Sequence, residues 1–176
     1  GERLRPLTDA VAKPMVLLNR MPVLYYQVSR LRNQGITDVI LLCGYKSDSV
    51  KEFFGDGSDF GLDIQYSVEE TPLGRGGAIK RGMANIPNSE RTILVMNGDT
   101  LTTQAVKPML DVHQKSDAKA TVMLTPYVTQ YGLVETDMSG KILAFKEKGV
   151  LPYWINAGVY IFDTNVREEL PDIGDH

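Results

Sequence analysis

One cysteine and two histidines are all that a chain of 176 residues offers to thiol or soft-metal chemistry. A lone thiol builds no disulfide framework, which fits a reducing compartment. Cys43 lies in the apolar run Val39-Ile40-Leu41-Leu42-Cys43, where a buried strand thiol is expected rather than a nucleophile, because free cysteine is among the most buried residue types. His113 follows Leu110 on a helix-like segment, and His176 is terminal. Neither has a second His or a Cys at ligand spacing, so metal binding through histidine is not expected. His113 reads as a structural or exposed imidazole. No Ser/His/Asp nucleophilic set can be assembled.

A basic surplus is missing too. Lys and Arg number 19 against 22 Asp and Glu, for a net charge of −3, which argues against a general nucleic-acid binder. Tyrosines are scattered through core-like segments rather than along a basic stripe. Any phosphate recognition must come from local basic residues. No apolar run approaches the ~20 residues that span a bilayer, and there is no signal-peptide pattern. No membrane partner and a cytoplasmic location are therefore expected. Repeats, low-complexity segments and flexible linkers are absent. The chain opens at Gly1-Glu2-Arg3 without an initiator Met and closes on His176 just after a strand; both ends read as edges of a larger gene product.

What is present is a globular composition, 43% apolar and 23% charged, with 16 Gly and 9 Pro. It fits one domain over residues 1–176, large enough to bury a core. Short β-branched runs alternate with helix-like patterns, which predicts a mostly parallel sheet with helical crossovers. A helix starts near Pro22, with Leu24, Val28 and Leu31 on one stripe and Gly35 as its stop. Val39–Cys43 follows as a strand buried on both faces. Ser47 can cap a helix whose Val50, Phe53 and Phe54 face inward. Ile64–Val68, Thr92–Met96 and Ala120–Leu124 read as strands. Helices are expected after the glycines at 74–77, with Ile79 and Met83 four apart, and over about 104–115. Residues up to about 125 thus look doubly wound. Beyond them, Leu133–Thr136 and Lys141–Phe145 flank Asp137-Met138-Ser139-Gly140, a hairpin signal. Ile155–Phe162 adds a further strand, so antiparallel strands are inserted over the mouth of the sheet.

Four stretches can carry chemistry. Arg3, Arg5 and Lys13 fall within eleven residues beside Gly1; this is either a solvated basic loop or one that wraps a polyphosphate, with Gly admitting close backbone approach. Glu70-Thr71-Pro72-Leu73-Gly74-Arg75-Gly76-Gly77 joins a strand to a helix, where backbone N–H groups and the helix dipole favour an anion or a flat base edge. It is neither a Walker loop nor GxGxxG, and glycine can also serve there simply to turn. Asn97-Gly98-Asp99 ends a buried strand; ligands of open α/β sheets bind beyond such ends, and a carboxylate there can hold Mg²⁺ against phosphate oxygens. Its bland alternative is a plain turn. Last come Phe145-Lys146-Glu147-Lys148, Tyr131-Gly132 and Ile155-Asn156-Ala157-Gly158. Lys suits a phosphate and Glu or Asn suits sugar hydroxyls, against a default of surface charge. Adjacent Glu147 and Lys148 point to opposite faces of a strand unless it ends or bulges there.

In order, Gly1-x-Arg3-Leu-x-Pro6-Leu-Thr8, Lys13-Pro14, Glu70-x-Pro72-Leu-Gly74-x-Gly76-Gly77, Asn97-Gly98-Asp99, Tyr131-Gly132, Glu147-Lys148 and Asn156-Ala157-Gly158 resemble the sugar-1-phosphate nucleotidyltransferases. Phe54-Gly55-Asp56-Gly57 and Ile155-Asn156-Ala157-Gly158-Val159-Tyr160 lean towards the mannose- or heptose-1-phosphate guanylyltransferase branch. Glucose-1-phosphate thymidylyl- and uridylyltransferases share much of the pattern. The resemblance implies an α/β fold, a Rossmann-like doubly wound mixed sheet of the nucleotide-diphospho-sugar transferase type. It implies Mg²⁺, a nucleoside triphosphate, a sugar 1-phosphate and a homo-oligomer. It places Arg3 and Lys13 on the triphosphate and leaving pyrophosphate, Asp99 on Mg²⁺ and Lys148 on the sugar phosphate. Glu147 and Asn156 fall to sugar hydroxyls and Gly132 to the sugar; Gly74 and Gly76, with Glu70, fall to the base; Gly1, Asn97 and Tyr131 join them as substrate-binding residues. The family usually has a strand and a glycine pair before the position of Gly1, and a second metal-binding Asp downstream of His176. Arg75 stands where a small residue is common, and Gly149 where Pro is. Arg75 can add a phosphate contact or obstruct the base site. A catalytically dead relative that binds sugar nucleotides as a regulatory subunit is the rival to an active transferase.

Overall fold

The structure, a computed structural model, describes residues 4–175. Readings placed on Gly1, Arg3 and His176 fall outside them. A 3-10 turn over Lys13–Met15 leads into two short antiparallel strands, β1 (Leu17–Leu18) and β2 (Met21–Pro22). Helix α1 (Val23–Arg32) begins one residue after Pro22 and buries Leu24 and Val28. Gly35 ends it at φ 83°, and the Ile36 N–H reaches back to Leu31 O at 3.0 Å, a left-handed stop that a Cβ would strain. Strand β3 (Asp38–Cys43), helix α2 (Ser47–Phe54) and strand β4 (Asp63–Val68) form a parallel crossover unit, with β3 and β4 paired from Asp38↔Asp63 to Cys43↔Val68. Helix α3 (Gly74–Gly82) follows β4. Then come β5 (Thr92–Met96), α4 (Val106–Lys115), β6 (Ala120–Val128), a hairpin of β7 (Leu133–Thr136) and β8 (Ile142–Lys146), and β9 (Val150–Asp163).

The long β9 is the organiser of the second half. It pairs antiparallel with β5 on one edge and β6 on the other. The expected α/β class with added antiparallel strands is thus present, but the mostly parallel sheet is not: among the described residues parallel pairing is confined to β3 and β4. Both β6 and β9 run further than their apolar segments predicted. Two cores result. Leu24, Val28, Val50, Phe54 and Ile64 pack together, with Phe53 and Phe60 stacked at 5.6 Å. Ile79 of α3 and Met83 just after it pack on Tyr160 and Phe162 of β9 and on Leu170. Burial of such side chains contributes about 1.5–3 kcal/mol each.

Two further expectations are corrected. Strand β3 is not buried on both faces: its residues are half-buried, and Leu42 is 40% exposed. Its only strand partner among the described residues is β4. The free edges of β3 and β5 instead face a cavity of about 520 Å³ lined by Ile40 to Tyr45 and Leu94 to Met96. Ser47 does not cap α2, because it is already in the first turn; Lys46 takes the cap position at φ 57° and no side chain bonds there.

Candidate active site

Strand β5 delivers Asn97-Gly98-Asp99 at its carboxyl end. The Asn97 N–H bonds Gly158 O of β9 at 2.9 Å, and the Thr100 N–H bonds Asn97 O at 3.0 Å, closing a tight turn. Gly98 lies against Pro14, whose Cγ would be 3.2 Å from an added Cβ. That contact brings the 13–15 turn to the strand end. There Lys13 Nζ donates to Asp99 Oδ2 in an ion pair whose side chains remain 46% and 36% exposed. Lys13 and Asp99, 86 residues apart, are therefore the two expected site residues that the fold joins directly.

The donor set can be tested against Mg²⁺. Asp99 already binds a cation, the Lys13 ammonium. Among the described residues no group of three His, Cys, Asp or Glu converges. A single carboxylate at a strand end is what Mg²⁺ uses when waters and substrate phosphates complete its octahedron. The residues fit that ion and not a preformed all-protein cage.

Asn156 meets this turn through glycine. Gly158 has φ 73°, and a Cβ there would lie 2.5 Å from Asn97 Nδ2. The Asn156 side chain spans the bend: its Oδ1 accepts the Gly158 N–H at 2.8 Å and its Nδ2 donates to the Tyr160 hydroxyl at 2.6 Å. It therefore shapes β9 beside Asn97 while the residue stays exposed.

The glycine run has a packing explanation that the sequence did not show. Its three glycines open α3 rather than precede it. Residues 171–174 cross the helix start so closely that a Cβ on Gly74 would be 2.6 Å from Gly174 O, and one on Gly76 would be 2.9 Å from Pro171. Gly174 O accepts the N–H groups of Gly76 and Gly77, and Asp175 Oδ1 accepts that of Arg75. The Gly76 N–H is therefore not offered to a base edge. The Arg75 guanidinium pairs with Asp175 at 3.3 Å, which raises its already high pKa. Glu70 is exposed at the end of β4.

The remaining candidates gather on the arm made by β7, β8 and the distal ends of β6 and β9. Register pairs Leu133 with Lys146, so Tyr131-Gly132 and Glu147-Lys148 flank one another at the open end of the hairpin. Strand β8 stops at Lys146, and Lys148 adopts φ 43°. The strand alternation that would set Glu147 and Lys148 on opposite faces is thus broken. All four residues are exposed, Tyr131 by 79%.

Reading by residue type missed Gln27 and Glu69. Gln27 is 6% exposed and donates to Asn97 O and Thr100 O; its signal was a polar residue inside the Leu24–Val28 stripe. Glu69, not Glu70, holds the loop after β4, accepting the Leu73 N–H at 3.0 Å. His113 is structural: it is 3% exposed, with ring nitrogens 2.8 Å from Thr121 Oγ1 and 3.2 Å from Asp163 Oδ1. Burial pushes the Cys43 thiol up to about 11, against a smaller lowering by Lys51, which rules out an activated thiolate.

Among the described residues no helix is long and apolar enough to cross a membrane. The nucleotidyl transferase family model matches residues 1–173. A mannose-1-phosphate guanylyltransferase of Mycobacterium tuberculosis is 40% identical over 97% of this chain, which spans 48% of that relative. A D-glycero-alpha-D-manno-heptose 1-phosphate guanylyltransferase of Aneurinibacillus thermoaerophilus is 38% identical over 96% of the chain and 73% of its own length. Among solved structures, HddC from Yersinia pseudotuberculosis superposes with a TM-score of 0.72 at 27% identity, covering 96% of this chain and 75% of HddC. It has also been solved complexed with GMP-PN. By sequence and by fold, the chain belongs to the nucleotidyl transferase family.

Proposed function

We propose that the protein transfers a nucleotidyl group from a nucleoside triphosphate to a sugar 1-phosphate and releases pyrophosphate, with GTP and mannose- or heptose-1-phosphate as the preferred pair. The observation that carries this reading is the Lys13–Asp99 pair at the carboxyl end of β5. It brings to one point an ammonium of the kind that binds phosphate and a carboxylate of the kind that binds a divalent metal. The names of the two guanylyltransferase relatives support the choice of base and sugar; a uridylyltransferase relative at 31% identity makes UTP with glucose-1-phosphate the alternative pair.

The sugar phosphate oxygen attacks the α-phosphorus in line and pyrophosphate leaves, with no covalent enzyme intermediate. Catalysis is then positioning and charge stabilisation. Lys13, with Arg3, holds the triphosphate and neutralises the departing pyrophosphate. Asp99 would hold Mg²⁺, which when bound would screen the phosphate charge. Lys148 takes the sugar phosphate, and Glu147, Asn156, Tyr131 and Gly132 border the sugar. Gly1, Asn97, Glu70 and Gly74 border the nucleotide, while Gly76 contributes clearance rather than a hydrogen bond. A cytoplasmic homo-oligomer completes the proposal. The test is pyrophosphate release on crossing the four common NTPs and dTTP with mannose-, glucose- and heptose-1-phosphate. Release that requires one sugar phosphate supports the reaction; sugar-nucleotide binding without release with any pair refutes it in favour of a regulatory subunit.

A further inference from the structure

We propose that Gln27 is a positioning residue for metal binding at Asp99, an inference that rests on the reading of Asp99 as the Mg²⁺ ligand. Helix α1 points its apolar stripe into the core, and Gln27 sits in that stripe, 6% exposed, next to fully buried Val28. A buried amide without partners is costly, so the pairing it finds indicates what it serves. Its Nε2 donates to Asn97 O at 2.8 Å and to Thr100 O at 3.0 Å. Those two carbonyls bracket Asp99. Both amide hydrogens are used, and the orientation is fixed by chemistry, since the oxygen end would repel both acceptors.

The Asp99 side chain has Lys13 as its one hydrogen-bond partner among the described residues. Binding a metal and a triphosphate must rearrange that pair, because each partner is needed elsewhere. The carboxylate is then located by the backbone of its turn, not by its own contacts. Two groups fix that turn: Gln27 of α1 through the Asn97 and Thr100 carbonyls, and Gly158 of β9 through the Asn97 N–H. Displacement of a reacting group by about 1 Å can cost 10²-fold in rate, so the clamp on the turn governs how well Asp99 serves the metal.

The experiment is an electron paramagnetic resonance titration of Mn²⁺ in the presence of GTP, run on the wild-type protein, Asp99→Asn, Gln27→Met and Gln27→Glu, with thermal melts of each. Met keeps the length and lacks the donors; Glu keeps the shape and meets both carbonyls with oxygen. Both Gln27 variants should bind Mn²⁺ about tenfold more weakly and raise the Mg²⁺ concentration for half-maximal pyrophosphate release in step. The KM for the sugar 1-phosphate should move less than about twofold. A lower melting temperature with unchanged Mn²⁺ affinity would overturn the proposal, because it marks Gln27 as a structural clamp alone. Equal Mn²⁺ binding by Asp99→Asn overturns it as well. Should neither Gln27 variant fold, Gly158→Ala moves the same turn from the β9 side, and unchanged metal affinity there counts against the inference. Wild-type protein that binds Mn²⁺ through Asp99 but releases no pyrophosphate refutes the proposed reaction and leaves the role of Gln27 supported. Turnover by the wild type with normal metal affinity in the Gln27 variants does the reverse.

Discussion

The α/β body and the β7–β8 arm hold their candidate residues in opposite ways. In the body, the turn that carries Asp99 is bonded to α1, to β9 and, through its carboxylate, to Lys13. On the arm, Tyr131, Gly132, Glu147 and Lys148 ride on a two-stranded hairpin whose apolar residues stay in solvent, Phe145 by 72% and Leu143 by 63%. An isolated hairpin is marginally stable. The backbone of the Asp99 turn is therefore preorganised, which suits the proposed chemistry driven by electrostatics. The arm residues are positioned by strand termination and one left-handed residue. The difference teaches that substitutions in the body should change kcat or stability, while those on the arm should change KM.

The sharpest way to break that contrast is Asp99→Asn. It should lower kcat by about 10²-fold or more without lowering the melting temperature; near-normal turnover at saturating Mg²⁺ would remove the metal role. Next in size is stability. Ile161→Ala, at a position 1% exposed in β9, should lose about 2–5 kcal/mol in chemical denaturation. Leu143→Ala on the arm should stay within about 0.5 kcal/mol, and equal losses would mean that the arm is covered by something. Lys148→Ala should raise the sugar-phosphate KM by about tenfold, as removal of a charged hydrogen bond does, and leave the triphosphate KM alone. Weakened triphosphate binding would put that lysine on the wrong substrate.

The smallest effect concerns Cys43. Its thiol is pushed up to about 11 by burial, so it should alkylate slowly at pH 8 in the folded protein and fast in urea. The unfolded thiol ionises near its ordinary ~8.5. Stability held below that value is thus lost as pH rises towards the folded pKa. Fast labelling of folded protein at pH 8 would contradict the partial burial of the Cys43 thiol.

Much of the body was legible in the sequence because burial leaves a pattern. Thr92–Met96 is an apolar run ending in Asn-Gly-Asp, and Leu24 and Val28 announce the inner face of α1. The ends of β6 and β9 were not legible, since their distal residues, such as Tyr153 and Trp154, are exposed and lack the alternation that burial imposes. Partners remote in sequence were invisible. Gln27 lies 70 and 73 residues from its two acceptors, and Arg75 lies 100 from Asp175. The glycine run shows a subtler limit. Turn, ligand approach and tail packing all call for glycine, and only the contacts of Gly74 and Gly76 with residues 171–174 tell them apart.

The measurement that tests the central claim most directly is pyrophosphate release by the protein across the matrix of triphosphates and sugar 1-phosphates, with Asp99→Asn as the control. The account predicts release that needs both substrates and Mg²⁺, is strongest with GTP and mannose- or heptose-1-phosphate, and collapses in the variant. Sugar-nucleotide binding with no release from any pair, or release that Asp99→Asn leaves intact, would contradict it.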